Sequence, residues 1–208
     1  MPDETSPPRP PEPLKAAVAS RAVDLLRAEK ADAVADIAYH AGQALVRVPG
    51  PRLIEVLGYL RDHDELRFDY LSNLTAVHWP KNERPFDLVY HLFSIAKRHR
   101  LTIKTAIAEG EEAPTATVLW PTANWHEREV FDLFGIRFKG HPDLTRILMP
   151  DEWVGHPLRK EYPLEGKPGD HVQYREVTTA QHVYDYDKAR LRGFGWKKEV
   201  EKTGLGRG

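Results

Sequence analysis

Apolar residues recur at helical spacing twice in the first third of the chain. Val18, Ala22, Leu25 and Leu26 make one face of a segment from Lys15 to Lys30 whose reverse side is charged. Leu53, Ile54, Leu57 and Leu60 do the same from Pro51 to Asp62, and Pro51 suits a first helical turn because no hydrogen bond is asked of its nitrogen. Between these helices the pattern predicts two strands, Ala33 to His40 and Gln43 to Val48, joined as a hairpin near Ala41-Gly42. Three more follow: Arg67 to His78, Phe86 to Ala96 and Arg100 to Ala108, separated by turn-rich Trp79 to Pro85 and cationic Lys97-Arg98-His99-Arg100. Thr117 to Trp120 predicts a short strand before a third helix. The order α-β-β-α-β-β-β-α predicts an α+β fold: two layers, with a mixed, mostly antiparallel sheet and helices, followed by a long extended C-terminal segment.

The third helix, Trp125 to Phe134, is the element that the rest is organised around. Pro121 and Asn124 precede it, and Gly135 stands where a left-handed C-cap belongs. Asn124 as N-cap puts Glu127 at the reciprocal position of a capping box. Val130, Phe131, Leu133 and Phe134 form an apolar arc, while Arg128, Glu129 and Asp132 gather opposite. Glu127 falls inside the apolar arc, so it either reaches back to the helix start or is a buried acid that needs a cation. After Gly135, prolines at 142, 150, 157 and 163 exclude a long helix or a central strand. From Lys139 to the end no period of 2 or 3.6 is sustained, yet Trp153, Leu158, Tyr162, Leu164, Tyr174, Tyr184, Tyr186, Phe194 and Trp196 are too apolar for a solvated tail. The expected organisation is a flexible proline-rich lead-in over residues 1–14, an α+β domain over 15–138 and an extended segment over 139–208 that docks along a partner.

The run Glu127-Arg128-Glu129-Val130-Phe131-Asp132-Leu133-Phe134-Gly135-Ile136 carries a resemblance, together with Gly140-His141-Pro142-Asp143-Leu144 and Gly155-His156-Pro157-Leu158-Arg159-Lys160-Glu161-Tyr162-Pro163-Leu164. These motifs resemble the signature of the 30 kDa subunit family of respiratory complex I, the C-type subunit of the bacterial enzymes, and the α/β region before them fits in order and length. Thr145 stands where the family usually has a second basic residue before Arg146, and Glu161 where it usually has Asp. The resemblance implies a structural member of the peripheral arm of a proton-translocating NADH:quinone oxidoreductase, set chiefly against the D-type subunit, with the cluster-bearing B-type and I-type subunits adjacent. It implies that electrons pass from NADH through FMN and iron–sulfur clusters to quinone in other subunits, with no cofactor, metal or catalytic residue in this chain. It also implies a peripheral membrane protein on the cytoplasmic side of the cell membrane. An equivalent subunit of a related complex with another electron donor would carry the same motifs.

Composition narrows the alternatives. With 208 residues, 41% of them hydrophobic, the chain suits one medium domain with extensions. The absence of cysteine removes disulfides, thiolate nucleophiles and cysteine-held iron–sulfur clusters. A formal net charge of -1 argues against a surface built for nucleic acid. The last 21 residues carry seven Lys or Arg against two Glu, which fits an acidic partner or a solvated tail. No apolar run reaches the roughly 18 residues of a membrane span. No phosphate-binding glycine loop or nucleophile elbow occurs.

Several side chains could carry chemistry. His141 and His156 lie among Asp143, Asp151 and Glu152, but two Gly-His-Pro turns are explained by geometry and hydrogen bonding without a metal. Glu127, Glu129, Asp132 and His141 would serve a small acid–base hydrolase only around an open pocket. The nearer reading of Asp132 is an ion pair with Arg128 one turn away. Arg146, Arg159 and Lys160 are candidate anchors, either for a partner's carboxylates and carbonyls or for the helix's own Glu127, Glu129 or Asp132. The expected partner interface is Glu127, Arg128, Glu129, Asp132, His141, Asp143, Arg146, Trp153, His156, Arg159, Lys160 and Tyr162.

Overall fold

A computed structural model describes residues 16–163 apart from 41 and 152; the expected lead-in over 1–14 and the path beyond residue 163 lie outside the described residues. Helices α1 (Ala16–Glu29) and α2 (Leu53–Asp62) alternate with strands β1 (Asp36–His40), β2 (Gln43–Arg47), β3 (Tyr70–His78), β4 (Phe86–Ser94) and β5 (His99–Ile107). The two-residue strand β6 (Ala113–Pro114), helix α3 (Ala123–Phe134) and the equally short β7 (Phe138–Lys139) complete the order, with 3-10 turns at Ala31–Ala33 and Gly50–Arg52. The five long strands form one sheet in the order β1-β2-β5-β4-β3. Every pairing in it is antiparallel except β2 with β5, so the expected mixed, mostly antiparallel α+β architecture is borne out.

Alternation along the strands decides what the sheet buries. Val46, Leu74, Leu88, Tyr90, Leu101 and Ile103 point to one face and form a continuous core with Leu26, Leu57, Leu60, Val130 and Phe134 of the three helices. That face, covered by helices, makes the second layer. Trp120 locks the entry to α3 by donating its indole N–H to the Phe68 carbonyl across 3.2 Å.

Local chemistry corrects three expectations. Thr117 to Trp120 is not a strand: the Ala116 carbonyl accepts N–H bonds from both Leu119 and Trp120, which curls the chain into a turn. The short strand lies earlier, where Ala113 and Thr115 donate to the Arg137 and Lys139 carbonyls. The turn then feeds α3 directly, with Ala123 bonding to the Trp120 carbonyl and Thr122, not Asn124, in the N-cap position without a side-chain cap bond. Glu127 therefore sits a full turn inside the helix, and the capping box does not form. The left-handed C-cap does form, with Gly135 at φ 78°.

Candidate partner-docking site

Helix α3 and residues 139–163 build one module from two very different pieces. The helix supplies a fixed row of side chains and carbonyls. The ribbon that follows has almost no regular structure, so its backbone polar groups must find partners elsewhere. They find them on α3.

Asp132 is the centre of that arrangement. Its fully buried carboxylate takes Arg146 Nη1 at 2.5 Å on Oδ1, while Oδ2 accepts the backbone N–H groups of Ile147 at 3.1 Å and of Leu148 and Met149 at 2.8 Å. Burial by itself would raise this carboxyl, but the Met149, Leu148 and Ile147 N–H bonds and the Arg146 guanidinium overcome it and hold the group below the ordinary value of 3.8. Arg146 also reaches the carbonyls of Trp153 at 2.9 Å and Gly155 at 3.2 Å, tying the next bend of the ribbon to the same point. The expected Arg128–Asp132 pair is thus replaced. Arg128 lies over the Trp125 ring and donates to the carbonyls of Thr145 and Arg146.

The far end of the ribbon is fastened at the helix C-terminus. His156 Nδ1 donates to the Asp132 carbonyl at 2.9 Å, and Arg159 Nε donates to the Phe134 carbonyl at 2.6 Å. Both bonds satisfy carbonyls that the last turn leaves open. Burial, with the nearby charges of Arg159 and Arg146, lowers the His156 imidazole pKa. Arg159 lies over Phe86 and pairs with Glu109 at 2.9 Å. The backbone N–H of Lys160 donates to Nδ1 of buried His78, which stacks on Phe86, while the Lys160 side chain points outward. Trp153 and Tyr162 stack with ring centroids 6.4 Å apart.

Glu127 belongs to a separate buried cluster. Its Oε1 accepts the Ala116 N–H and its Oε2 meets the Thr115 hydroxyl, each at 2.6 Å, and the enclosed His141 ring lies 4.0 Å from Oε2. Burial drives this carboxyl up to about 7 against the pull of those two bonds. His141 is held by backbone alone: Nδ1 accepts the Asp143 N–H, leaving Nε2–H toward the Asn124 carbonyl. Because the folded pKa is raised, Glu127 favours folding fully below the ordinary 4.5, and that contribution is lost as pH rises through about 7. Glu127→Gln is therefore expected to gain stability relative to the wild type between pH 4.5 and 8, by up to about 3 kcal/mol. Parallel denaturant titrations across that range measure it, and a pH-independent difference would contradict the assignment.

Of the predicted residues, Asp132, Arg146, Trp153, His156 and Arg159 come together around the helix C-terminus, with Tyr162 stacked on Trp153. Glu127 and His141 form the second cluster. The side chains of Glu129, Asp143 and Lys160 stay exposed and join neither, although the Asp143 N–H bonds His141. Among the described residues no three acidic or histidine side chains gather as a metal site. Sequence reasoning missed His78, Thr115 and Glu109, which sit on strands and loops with no motif of their own. Among these exposed polar groups the module also turns three aliphatic side chains outward: Leu148, Val154 and Leu158 are 60%, 63% and 49% exposed.

Known proteins resemble this chain. Residues 46–168 match the family described as "Respiratory-chain NADH dehydrogenase, 30 Kd subunit". The chain is similar to the C-type subunit of the NADH-quinone oxidoreductase of Roseiflexus castenholzii, 48% identical over 140 residues that cover 67% of this chain and 80% of that one. It is also similar to the protein of the same name in Citrifermentans bemidjiense, 45% identical over 71% of this chain and 91% of the relative. Among solved structures, a chain from the membrane-bound sulfane sulfur reductase, an archaeal respiratory membrane complex, superposes with TM-score 0.56 at 26% identity, covering 70% of this chain and 85% of that one.

Proposed function

The chain belongs to the 30 kDa subunit family of respiratory-chain NADH dehydrogenases, and we propose that it is the structural peripheral-arm member of a proton-translocating NADH:quinone oxidoreductase, docking chiefly on the D-type subunit. In this reading the FMN and iron–sulfur clusters belong to other subunits, the B-type and I-type among the adjacent ones, and NADH and quinone are met only through the assembled enzyme. In this reading the chain is a peripheral protein on the cytoplasmic side of the cell membrane, within a membrane complex; among the described residues no helix is long and apolar enough to cross a membrane.

The observation that carries this reading is that the ribbon is fixed by its own helix while Leu148, Val154 and Leu158 face solvent. A surface ordered before binding loses little conformational entropy on binding, which favours a large, lasting protein contact. The hydrolase alternative fares worse. Glu127, Asp132 and the His141 ring are fully buried, and the Asp132 carboxylate is already saturated by the ribbon. The Arg146 and Arg159 anchors work inside the chain, so the partner-facing role of the module falls to its exposed aliphatic side chains.

Co-purification from detergent-solubilised native membranes tests the proposal. The tagged wild type is expected to bring down an NADH-oxidising, iron–sulfur quinone reductase. Leu148→Glu/Leu158→Glu, which adds charge at exposed positions, is expected to reduce that recovery at least tenfold with the fold intact. A wild type that emerges without such a complex would overturn the reading. The likeness to a chain of the sulfane sulfur reductase favours one second reading, an equivalent subunit in a complex with another electron donor. The donor accepted by the recovered complex separates the two.

A further inference from the structure

The sheet has a second face, which stands outside the core it shares with the helices. Val89 is only 4% exposed yet takes no part in the core shared with the helices, because its side chain points the other way. Pairing places Val89 opposite Thr75 on β3 and Lys104 on β5, and puts Phe93 opposite Tyr70 and Arg100. Antiparallel sheets with a free face normally line it with polar residues. Here Val89 and Phe93 alternate with Asp87 and His91 along the middle strand, and Arg100 and Lys104 stand beside them on β5.

Charge on this face is one-sided. On the β2 side, Arg47 is neutralised by Asp87 at 2.9 Å. On the β5 side, Arg100 lies over the Phe93 ring and Lys104 stands one step along, and neither forms an ion pair among the described residues. The consequence is felt by His91 between them: burial first, then the charges of Lys104 and Arg100, lowers its pKa. Lys97 and Arg98 extend the positive end onto the exposed β4–β5 turn. The acidic groups nearest that end are occupied, Asp69 by the Ile95 N–H and Glu65 by Arg21. With nine-residue strands about 30 Å long and three of them spanning about 14 Å, the face offers roughly 400 Å², about half of one side of a standard protein interface.

We infer that this face of β3, β4 and β5 is a second docking surface, occupied by an acidic, aliphatic segment of a neighbouring subunit. The inference rests on the subunit reading but not on the ribbon, since the helices that carry the ribbon pack on the opposite face of the sheet. Aliphatic side chains of the partner would cover Phe93 and the exposed Tyr70 opposite it while its carboxylates meet Arg100 and Lys104, a pairing that fixes orientation as well as identity.

A photoreactive side chain in place of Thr75 tests this in the assembled complex. Irradiation is expected to cross-link the chain to another polypeptide of the complex, at a peptide in which Asp and Glu outnumber Lys and Arg. Arg100→Glu/Lys104→Glu should lower that yield at least tenfold, while Arg100→Lys/Lys104→Arg keeps it within twofold. An unchanged circular dichroism melt of each variant controls for folding. Cross-links confined to this chain, to lipid or to a basic peptide, or a yield indifferent to charge reversal, would overturn the inference even where the chain still co-purifies with its complex. A chain that purifies alone would remove both this inference and the subunit reading.

Discussion

Replacing Asp132 with alanine is expected to destabilise the chain by about 3 kcal/mol, within the range for breaking a buried ion pair by deleting one partner, and to free the ribbon from α3. The deletion leaves the Arg146 guanidinium largely enclosed and strips the acceptor from three consecutive N–H groups, those of Ile147, Leu148 and Met149. Of the two other carboxylates of α3, Glu127 is committed to Thr115 and Ala116 and Glu129 is exposed on the helix surface. Thermal unfolding should show a midpoint lower by roughly 10 °C, and amide exchange should accelerate most at residues 147–149. Asp132→Asn keeps the shape and one acceptor, so about half of the loss is expected. Exchange at 147–149 that matches the wild type in the alanine variant would refute the role. The pH dependence has the opposite sign to that of Glu127. Because the Asp132 pKa is depressed below 3.8, its contribution is complete above that value and fades as pH falls through the lower folded one. Acid should therefore loosen the ribbon while it relieves the buried Glu127.

That contrast explains why the sheet is legible in the chain and the module is not. Strands and helices announce themselves through side chains two to four positions apart, and β1 to β5 with α1 and α2 lie within a few residues of the predicted limits. The errors there are local. The predicted strands run past their ends because apolar alternation continues into turns such as the one at Ser94, whose carbonyl accepts the Arg98 N–H. Sequence pattern assigns Asp132 to the polar side of its helix because its partners begin 14 residues downstream, in a segment without period. The same distance hides the fate of the ribbon. A stretch with no repeat and many aromatics suggests docking on another protein, and nothing within a short window shows that its N–H groups are spoken for at home. Glu127 shows a partial success: its place in the apolar arc is legible as a choice between a cap and a buried acid. The turn at Ala116, which moves the helix start back to Ala123, decides for the latter. The family motifs are legible throughout, because they are made of adjacent residues.

Gly135 carries the other large expected effect, and its sequence role as a helix cap accounts for only part of it. At φ 78° an alanine would cost about 1 kcal/mol from backbone conformation alone. A Cβ there would also lie 2.5 Å from the His156 ring atoms Cδ2 and Nε2 and 3.1 Å from Nη2 of Arg159. To make room, His156 must swing away and give up its bond to the Asp132 carbonyl, adding about 1 to 2 kcal/mol. Gly135→Ala is therefore expected to lose about 3 kcal/mol in all. The two contributions separate in a double-mutant cycle. With His156→Ala already present, the collision is gone and Gly135→Ala should cost only the backbone share of about 1 kcal/mol. Asn tolerates the left-handed conformation better than Ala but brings the same Cβ, so Gly135→Asn should recover the backbone share and keep the collision. Equal costs for Gly135→Ala with and without His156 would mean that the ribbon yields freely at this point. The glycine would then serve the helix end alone, rather than the close approach that seats the ribbon against it.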